Sequence, residues 1–309
     1  MPTVHVNDVD LYYEEAGDPR GPVVLLVMGL ATQLIAWPDP LIAALVDAGY
    51  RVVRYDNRDV GLSTRLDGTP ALHPLWVLGA SRLRMPFPLA YTLRDMAADA
   101  VALLDALGVE RAHVVGASMG GMIAQHIAAG WRERVESLTT IMSSSGAPGL
   151  PPPSPALMRR LVMRWPATPS RDEAVAATIA TLALISHPEA ARDVEALALQ
   201  ATRAVDRGHY PVGGRRQLAA IIADTGRPVL LTHIVAPTLV IHGAVDPLIP
   251  LGHGEDLARR IEGAKLLIVQ AMAHDLAPAA LPEVTAGLLD HLAGSAPATG
   301  SPISARAVR

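Results

Sequence analysis

The stretch Val114-Val115-Gly116-Ala117-Ser118-Met119-Gly120-Gly121 constrains this chain more than any other. An apolar run at 112–115 leads into it, and an amphipathic run with helical spacing at 119–129 leads out. A serine therefore stands on a turn between a strand and a helix. This is G-x-S-x-G in the setting its chemistry requires. A strand that turns sharply into a helix brings backbone segments almost into contact, and a side chain at 116 or 120 collides there. The same turn lifts the Ser118 hydroxyl over the end of the sheet. It also aims free helix N-terminal N–H groups, Met119 first among them, at any nearby negative oxygen.

The rest of the chain alternates. Residues 4–6 and 11–15 flank Asn7-Asp8-Val9-Asp10 and read as a hairpin. The continuous apolar run 23–28 reads as a buried central strand, with a flexible exit at Gly29-Leu30. Residues 37–48 read as a helix, 50–55 as a strand and 91–107 as a helix. Asp56-Asn57-Arg58-Asp59-Val60-Gly61-Leu62-Ser63 is too polar for core and is placed on the rim, at a strand end. The stretch 73–88, broken by proline and glycine, reads as a long connection. Its Trp76, Leu78, Leu83 and Phe87 either cover the sheet or line a pocket.

Past the serine, 135–142 reads as a strand and 143–155 as an exit from the sheet layer. Residues 156–226 carry helical patterns only, at 157–165, 171–185, 188–205 and 215–225. Strands resume at 238–242 and 264–269, and a helix at 279–293 closes the pattern. Strands alternating with helices imply a parallel sheet covered on both faces, with ligands outside the carboxyl ends of its strands. The expected division is a core of 1–146 and 236–293, a helical cap at 147–235, and a flexible tail at 294–309.

Composition narrows the function. Half of the 309 residues are hydrophobic, enough for one large α/β domain with an insertion. The net charge is −4 and the basic residues are scattered, so no nucleic-acid partner is expected. The absence of cysteine excludes disulfides, thiolate metal sites and a cysteine nucleophile, and favours a cytoplasmic setting. The first ten residues lack the pattern of a signal peptide. No apolar run is long enough to span a bilayer, and the histidines show no metal-ligand spacing.

Serine at its ordinary pKa is a poor nucleophile. It needs a base within hydrogen-bond reach and an anion that fixes the base in one tautomer. Asp246 follows the strand at 238–242, and His274 follows the strand at 264–269. The order Ser118, Asp246, His274 is the one this motif expects. Asp275 is an alternative acid, but adjacent residues of a loop rarely place one side chain behind the other's ring. His242 is read as a satisfied histidine at a strand end. The oxyanion hole needs two backbone donors. Met119 N–H is one, and Leu30 N–H, on the loop after 23–28, is the other. Met28, Leu30, Trp37, Met119 and Leu248 are expected to make the adjoining pocket apolar, which favours an acyl group or a small hydrophobic alcohol.

With these residues in place, the sequence resembles the α/β-hydrolase superfamily over nearly its whole length, to about residue 292. It is most similar to the serine carboxylesterase and methylesterase branch that includes the aclacinomycin methylesterases. Met28-Gly29-Leu30, the 55–63 run, 116–121, 243–246 and 272–276 carry the resemblance. It implies an α/β-hydrolase fold, a mostly parallel eight-stranded sheet flanked by helices, with a helical cap between the sixth and seventh strands. It also implies Ser118 as nucleophile, Asp246 as acid, His274 as base, and the amides of Leu30 and Met119 as oxyanion hole. Met28 stands where relatives commonly have histidine, and Ala273 where a glycine often precedes the base. The expected partners are a small-molecule ester and water, with no cofactor or metal. A lactonase or C–C bond hydrolase would use the same triad, while a silent binding protein would have lost a member of it. Ser118 argues against aspartate-nucleophile chemistry. The missing middle glycine and the absence of a following lysine argue against a dinucleotide or P-loop site.

Overall fold

Alternation along the central strand decides the layering. In β3 (Val23–Val27) every residue is buried. Val23, Leu25 and Val27 pack into one hydrophobic cluster, Val24 and Leu26 into another. Successive side chains of a strand point to opposite faces, so both faces of the sheet must be covered. The structure, a computed structural model, describes residues 2–83, 85–163 and 170–295.

The chain opens with β1 (Thr3–Val6), β2 (Val9–Ala16), β3, α1 (Asp39–Asp47), β4 (Arg51–Tyr55), α2 (Pro74–Arg82) and α3 (Leu93–Ala106). Then come β5 (Ala112–Ala117), α4 (Met119–Gly130) and β6 (Val135–Ile141). Among the described residues, five α-helices follow before the next strand: α5 (Pro155–Met163), α6 (Arg171–Ile185), α7 (Val194–Gly208), α8 (Pro211–Ala223) and α9 (Arg227–Leu230). The core resumes with β7 (Thr238–Gly243), α10 (Gly252–Arg260), β8 (Lys265–Val269) and α11 (Leu281–Gly294). The eight strands form one sheet in the order β1-β2-β4-β3-β5-β6-β7-β8. The β1–β2 and β2–β4 pairings are antiparallel and the rest parallel.

One face is covered by α3 and α4 through Met96, Leu103, Ile123 and Ile127. The other is covered by α1 and α11 through Leu41, Leu45, Val284 and Leu288. Helix α3 starts on a capping box in which Thr92 and Asp95 each satisfy the other's backbone N–H. The helices α5–α9 form the inserted cap. Part of the helix expected at 157–165, and the expected tail beyond Ser295, lie outside the described residues.

The stretch 73–88 departs from expectation. It contains α2, because the proline read as an interruption sits at the first helical position, where its missing N–H costs nothing. The His73 ring accepts from Leu75 N–H at 3.3 Å and caps the start. Val77 and Ala80 face inward, whereas Trp76 and Leu83 are exposed and so do not cover the sheet.

Candidate active site

Ser118 sits between β5 and α4 with φ +55° and ψ −119°, a backbone conformation that L-residues rarely hold. The surroundings enforce it. A Cβ at Gly116 would lie 2.2 Å from the Gly120 carbonyl oxygen, and one at Gly120 would lie 2.0 Å from that of Val27. Ser118 N–H donates to Ile141 O at 2.9 Å, and Ser143 Oγ donates to Ser118 O at 2.8 Å. The turn is thus tied to β6, the neighbour of β5 in the sheet.

Asp246 and His274 come from the loops after β7 and β8, neighbouring strands whose carboxyl ends lie on the same side as that of β5. His274 Nε2 is 3.0 Å from Ser118 Oγ, and His274 Nδ1 is 2.7 Å from Asp246 Oδ2. Asp246 Oδ1 accepts the N–H groups of Leu248 and Ile249, both at 2.8 Å. The carboxylate is therefore held by its own loop through one oxygen and presents the other to the imidazole. This fixes the tautomer: Nδ1–H donates to Asp246 and Nε2 accepts from the serine hydroxyl. Asp275 does not compete for that place. Its Oδ1 accepts Ala273 N–H at 3.3 Å and its Oδ2 accepts His187 N–H, from the cap, at 3.1 Å. The cap also holds the base directly, since His274 N–H donates to Ile185 O at 2.9 Å.

Behind the acid lies His242, fully buried. Its Nε2 donates to Ile249 O at 2.7 Å and is 3.7 Å from Asp246 Oδ2. Its Nδ1 has no partner among the described residues, so the histidine expected to be satisfied is satisfied on one side only. Burial pushes its pKa down and keeps the ring neutral beside the carboxylate.

The loop after β3 runs along the serine, and a Cβ built on Gly29 would come within 3.1 Å of Ser118 Cβ. Leu30 N–H, in this loop, meets no acceptor among the described residues. Met119 is the first residue of α4, so its N–H has no acceptor within the helix. Of the expected pocket residues, Met28 and Trp37 belong to the core cluster of α1 and α11, and the Met119 side chain to that of α3 and α4. Trp37 is only 1% exposed. Leu30 and Leu248 are half-buried and keep accessible surface.

The polar run after β4 is the feature that sequence reasoning placed wrongly. Asp56, Asn57, Arg58 and Asp59 are all buried. Asp56 Oδ1 accepts Leu34 N–H at 2.8 Å, its Oδ2 accepts Leu62 N–H at 2.9 Å, and Arg207 Nη1 of α7 donates to Oδ2 at 2.6 Å. Asn57 Nδ2 donates to Met28 O at 3.0 Å. Arg58 pairs through two nitrogens with Asp99 at 2.6 and 2.7 Å. Arg216 of α8 grips Asp59 in the same two-pronged way, at 2.8 Å for both bonds. Burial pushes the Asp56 carboxyl up, against the pull of the Leu62 and Leu34 amides and of Arg207. This run is a buried polar hub that joins the Gly29 loop to the cap. Among the described residues no three His, Cys, Asp or Glu side chains gather as a metal site.

A nucleophile activated by a base, with the base oriented by an acid, is equipped for acyl transfer. Comparison with known proteins agrees. The alpha/beta hydrolase fold family profile matches residues 22–277. Rhodomycin D methylesterase DnrP of Streptomyces peucetius is 30% identical over 94% of this chain and 98% of its own. A putative carbamate hydrolase, RutD of Stutzerimonas stutzeri, is 27% identical over 92% and 97%. Among solved structures, the enol-lactonase of Burkholderia xenovorans superposes with a TM-score of 0.73 at 23% identity, covering 94% of this chain and all of that one. A hydrolase of Pseudomonas aeruginosa gives 0.69 at 27% identity, over 94% and 97%. On the elbow, the three converging side chains and the match across most of its length, this chain belongs to the alpha/beta hydrolase fold family and is a serine hydrolase.

Proposed function

We propose that the protein is a carboxylesterase that cleaves simple alkyl esters, methyl esters foremost, of largely apolar acids. The observation that carries this reading is the unbroken chain Ser118–His274–Asp246, with bonds of 3.0 and 2.7 Å. The choice of a methyl ester is supported by the whole-length similarity to a methylesterase.

His274 Nε2 takes the Ser118 proton as Oγ attacks the ester carbonyl. Asp246 holds the imidazole and stabilises its charged form. The N–H groups of Leu30 and Met119 take the oxyanion. His274 then gives its proton to the departing alcohol, and water, activated by the same ring, releases the acid. Every step uses groups of this chain, the substrate and water.

A fluorophosphonate probe should label the wild type and leave Ser118→Ala unlabelled. Across methyl, ethyl and longer esters, lactones and vinylogous diketones, methyl esters of apolar acids should give the highest kcat/KM. Turnover of lactones or diketones alone would replace the ester assignment while keeping the triad. Ordinary esterase activity in Ser118→Ala, with an unchanged melting curve, would remove the triad assignment itself.

A further inference from the structure

The loop that carries Leu30 is bracketed, and one bracket belongs to the cap. On the upstream side, Asn57 Nδ2 holds the Met28 carbonyl at 3.0 Å. Within the loop, Thr32 N–H donates to Gly29 O at 3.2 Å and Thr32 Oγ1 to Leu30 O at 2.9 Å. The Gly29–Leu30 peptide is thereby held by its carbonyl, which turns its N–H the other way. On the downstream side stands Ala31, a non-glycine residue at φ +53°. L-residues rarely hold that conformation, and it persists only where neighbours over-determine it.

The neighbour is Gln217, on α8 of the cap and fully buried. Its Oε1 accepts Ala31 N–H at 2.7 Å, while its Nε2 donates to Arg58 O at 2.9 Å. One amide thus spans from the residue after Leu30 to the polar hub after β4. Arg216, beside it in sequence, locks that turn of α8 onto Asp59 with two bonds of 2.8 Å. The amide is presented from a rigid mount, not from a free helix face.

We propose that Gln217 is a positioning residue for the Leu30 donor of the oxyanion hole, so that the cap is part of the catalytic apparatus as well as a cover over it. This rests on the hydrolase reading above. Loss of the Ala31 bond frees the Leu30–Ala31 peptide to relax from its left-handed geometry and swings the preceding N–H off the oxyanion. The triad distances do not depend on it. The effect therefore falls on the transition state and not on substrate binding.

Two variants of similar polarity test this. Gln217→Glu keeps an acceptor for Ala31 N–H at the same reach; burial favours its protonated form, whose O–H donates to Arg58 O in place of Nε2. Gln217→Asn is one methylene shorter and falls short of Ala31 N–H. In Gln217→Asn, kcat should drop about tenfold to a hundredfold with KM within about threefold, on the scale of a misplaced oxyanion donor. Its affinity for a trifluoromethyl ketone, whose hemiketal carries the same oxyanion, should fall by the same factor as kcat/KM. Gln217→Glu should retain most of the wild-type rate and inhibitor affinity. Equal losses in both variants, or a KM rise that accounts for the loss, would overturn the Gln217 role. So would unchanged inhibitor affinity in Gln217→Asn. If Gln217→Asn does not fold, Gln217→Glu decides: a rate lowered tenfold despite the retained acceptor overturns the claim, and a near-native rate supports it. Failure of the wild type to bind the ketone through Ser118 would take down the hydrolase reading, and the role of Gln217 with it.

Discussion

At the scale of single residues, the site depends on a division of labour inside one carboxylate. Asp246 spends Oδ1 on two amides of its own loop and Oδ2 on the imidazole. An amide side chain at 246 that keeps its oxygen toward Leu248 and Ile249 turns its NH2 toward His274. The ring then donates from Nε2 and loses the lone pair that the serine needs. Asp246→Asn should lower kcat by about 10⁴, with the melting temperature moved by only a few degrees. Steady-state kinetics beside a thermal melt check this, and a rate within tenfold of wild type would move the acid elsewhere. These three residues were legible in the sequence because each lies a few positions past a strand of unmistakable pattern, in an order the strand–turn–helix serine dictates. Asp275 could be set aside on local geometry alone. Trp37, 1% exposed, packs into the core with α1 and α11, a setting that an aromatic beside a ligand loop does not announce in sequence.

At the scale of elements, what was legible was what is local. The strands and both sheet-covering layers follow from alternation and 3.6-residue spacing, and these patterns need no distant partner. The polar run at 56–63 could not be read this way. Its cap partners are Arg207, Arg216 and Gln217, about 150 residues downstream on α7 and α8, and Arg58 pairs with Asp99 of α3. Nothing near Asp59 in sequence announces the guanidinium that lets it be buried. The helix α2 is hidden for the opposite reason: its capping signal is local, but a proline reads in sequence as a breaker as readily as a helix start. The Arg216–Asp59 pair tests the hub. Both side chains are almost completely buried, at 2% and 0% exposure. Arg216→Met strands a buried carboxylate and should cost about 3–5 kcal/mol in urea unfolding. Adding Asp59→Asn should recover a good part of that loss, because the uncompensated charge is gone. A single variant as stable as wild type would show that the pair does not hold α8 in place.

At the scale of the whole molecule, three buried histidines contribute to how stability responds to acid. Burial pushes His113 down to about 4, and it also lowers His242 and His291. Each is neutral in the folded chain at a pH where the unfolded chain binds a proton. Stability from these groups is thus complete above the unfolded value near 6.5, and it falls as pH drops from there toward the folded value. The slope approaches about 1.4 kcal/mol per pH unit for each proton taken up only on unfolding. Urea unfolding of wild type and His113→Asn between pH 7.5 and 4.5 isolates one such proton. The wild type should lose more stability than the variant across that window, and parallel curves would contradict the assignment. Among the described residues, no helix is long and apolar enough to cross a membrane.

The backbone bond from His274 N–H to Ile185 O has a practical corollary for anyone building chimeras in this family. A graft that exchanges 147–235 for a relative's insertion replaces the carbonyl against which the general base rests, along with the His187 amide that holds its neighbour. Retargeting such a hydrolase by transplanting the insertion should therefore yield a well-folded sheet with slack chemistry, unless the segment ending α6 travels in register with the loop at 272–276.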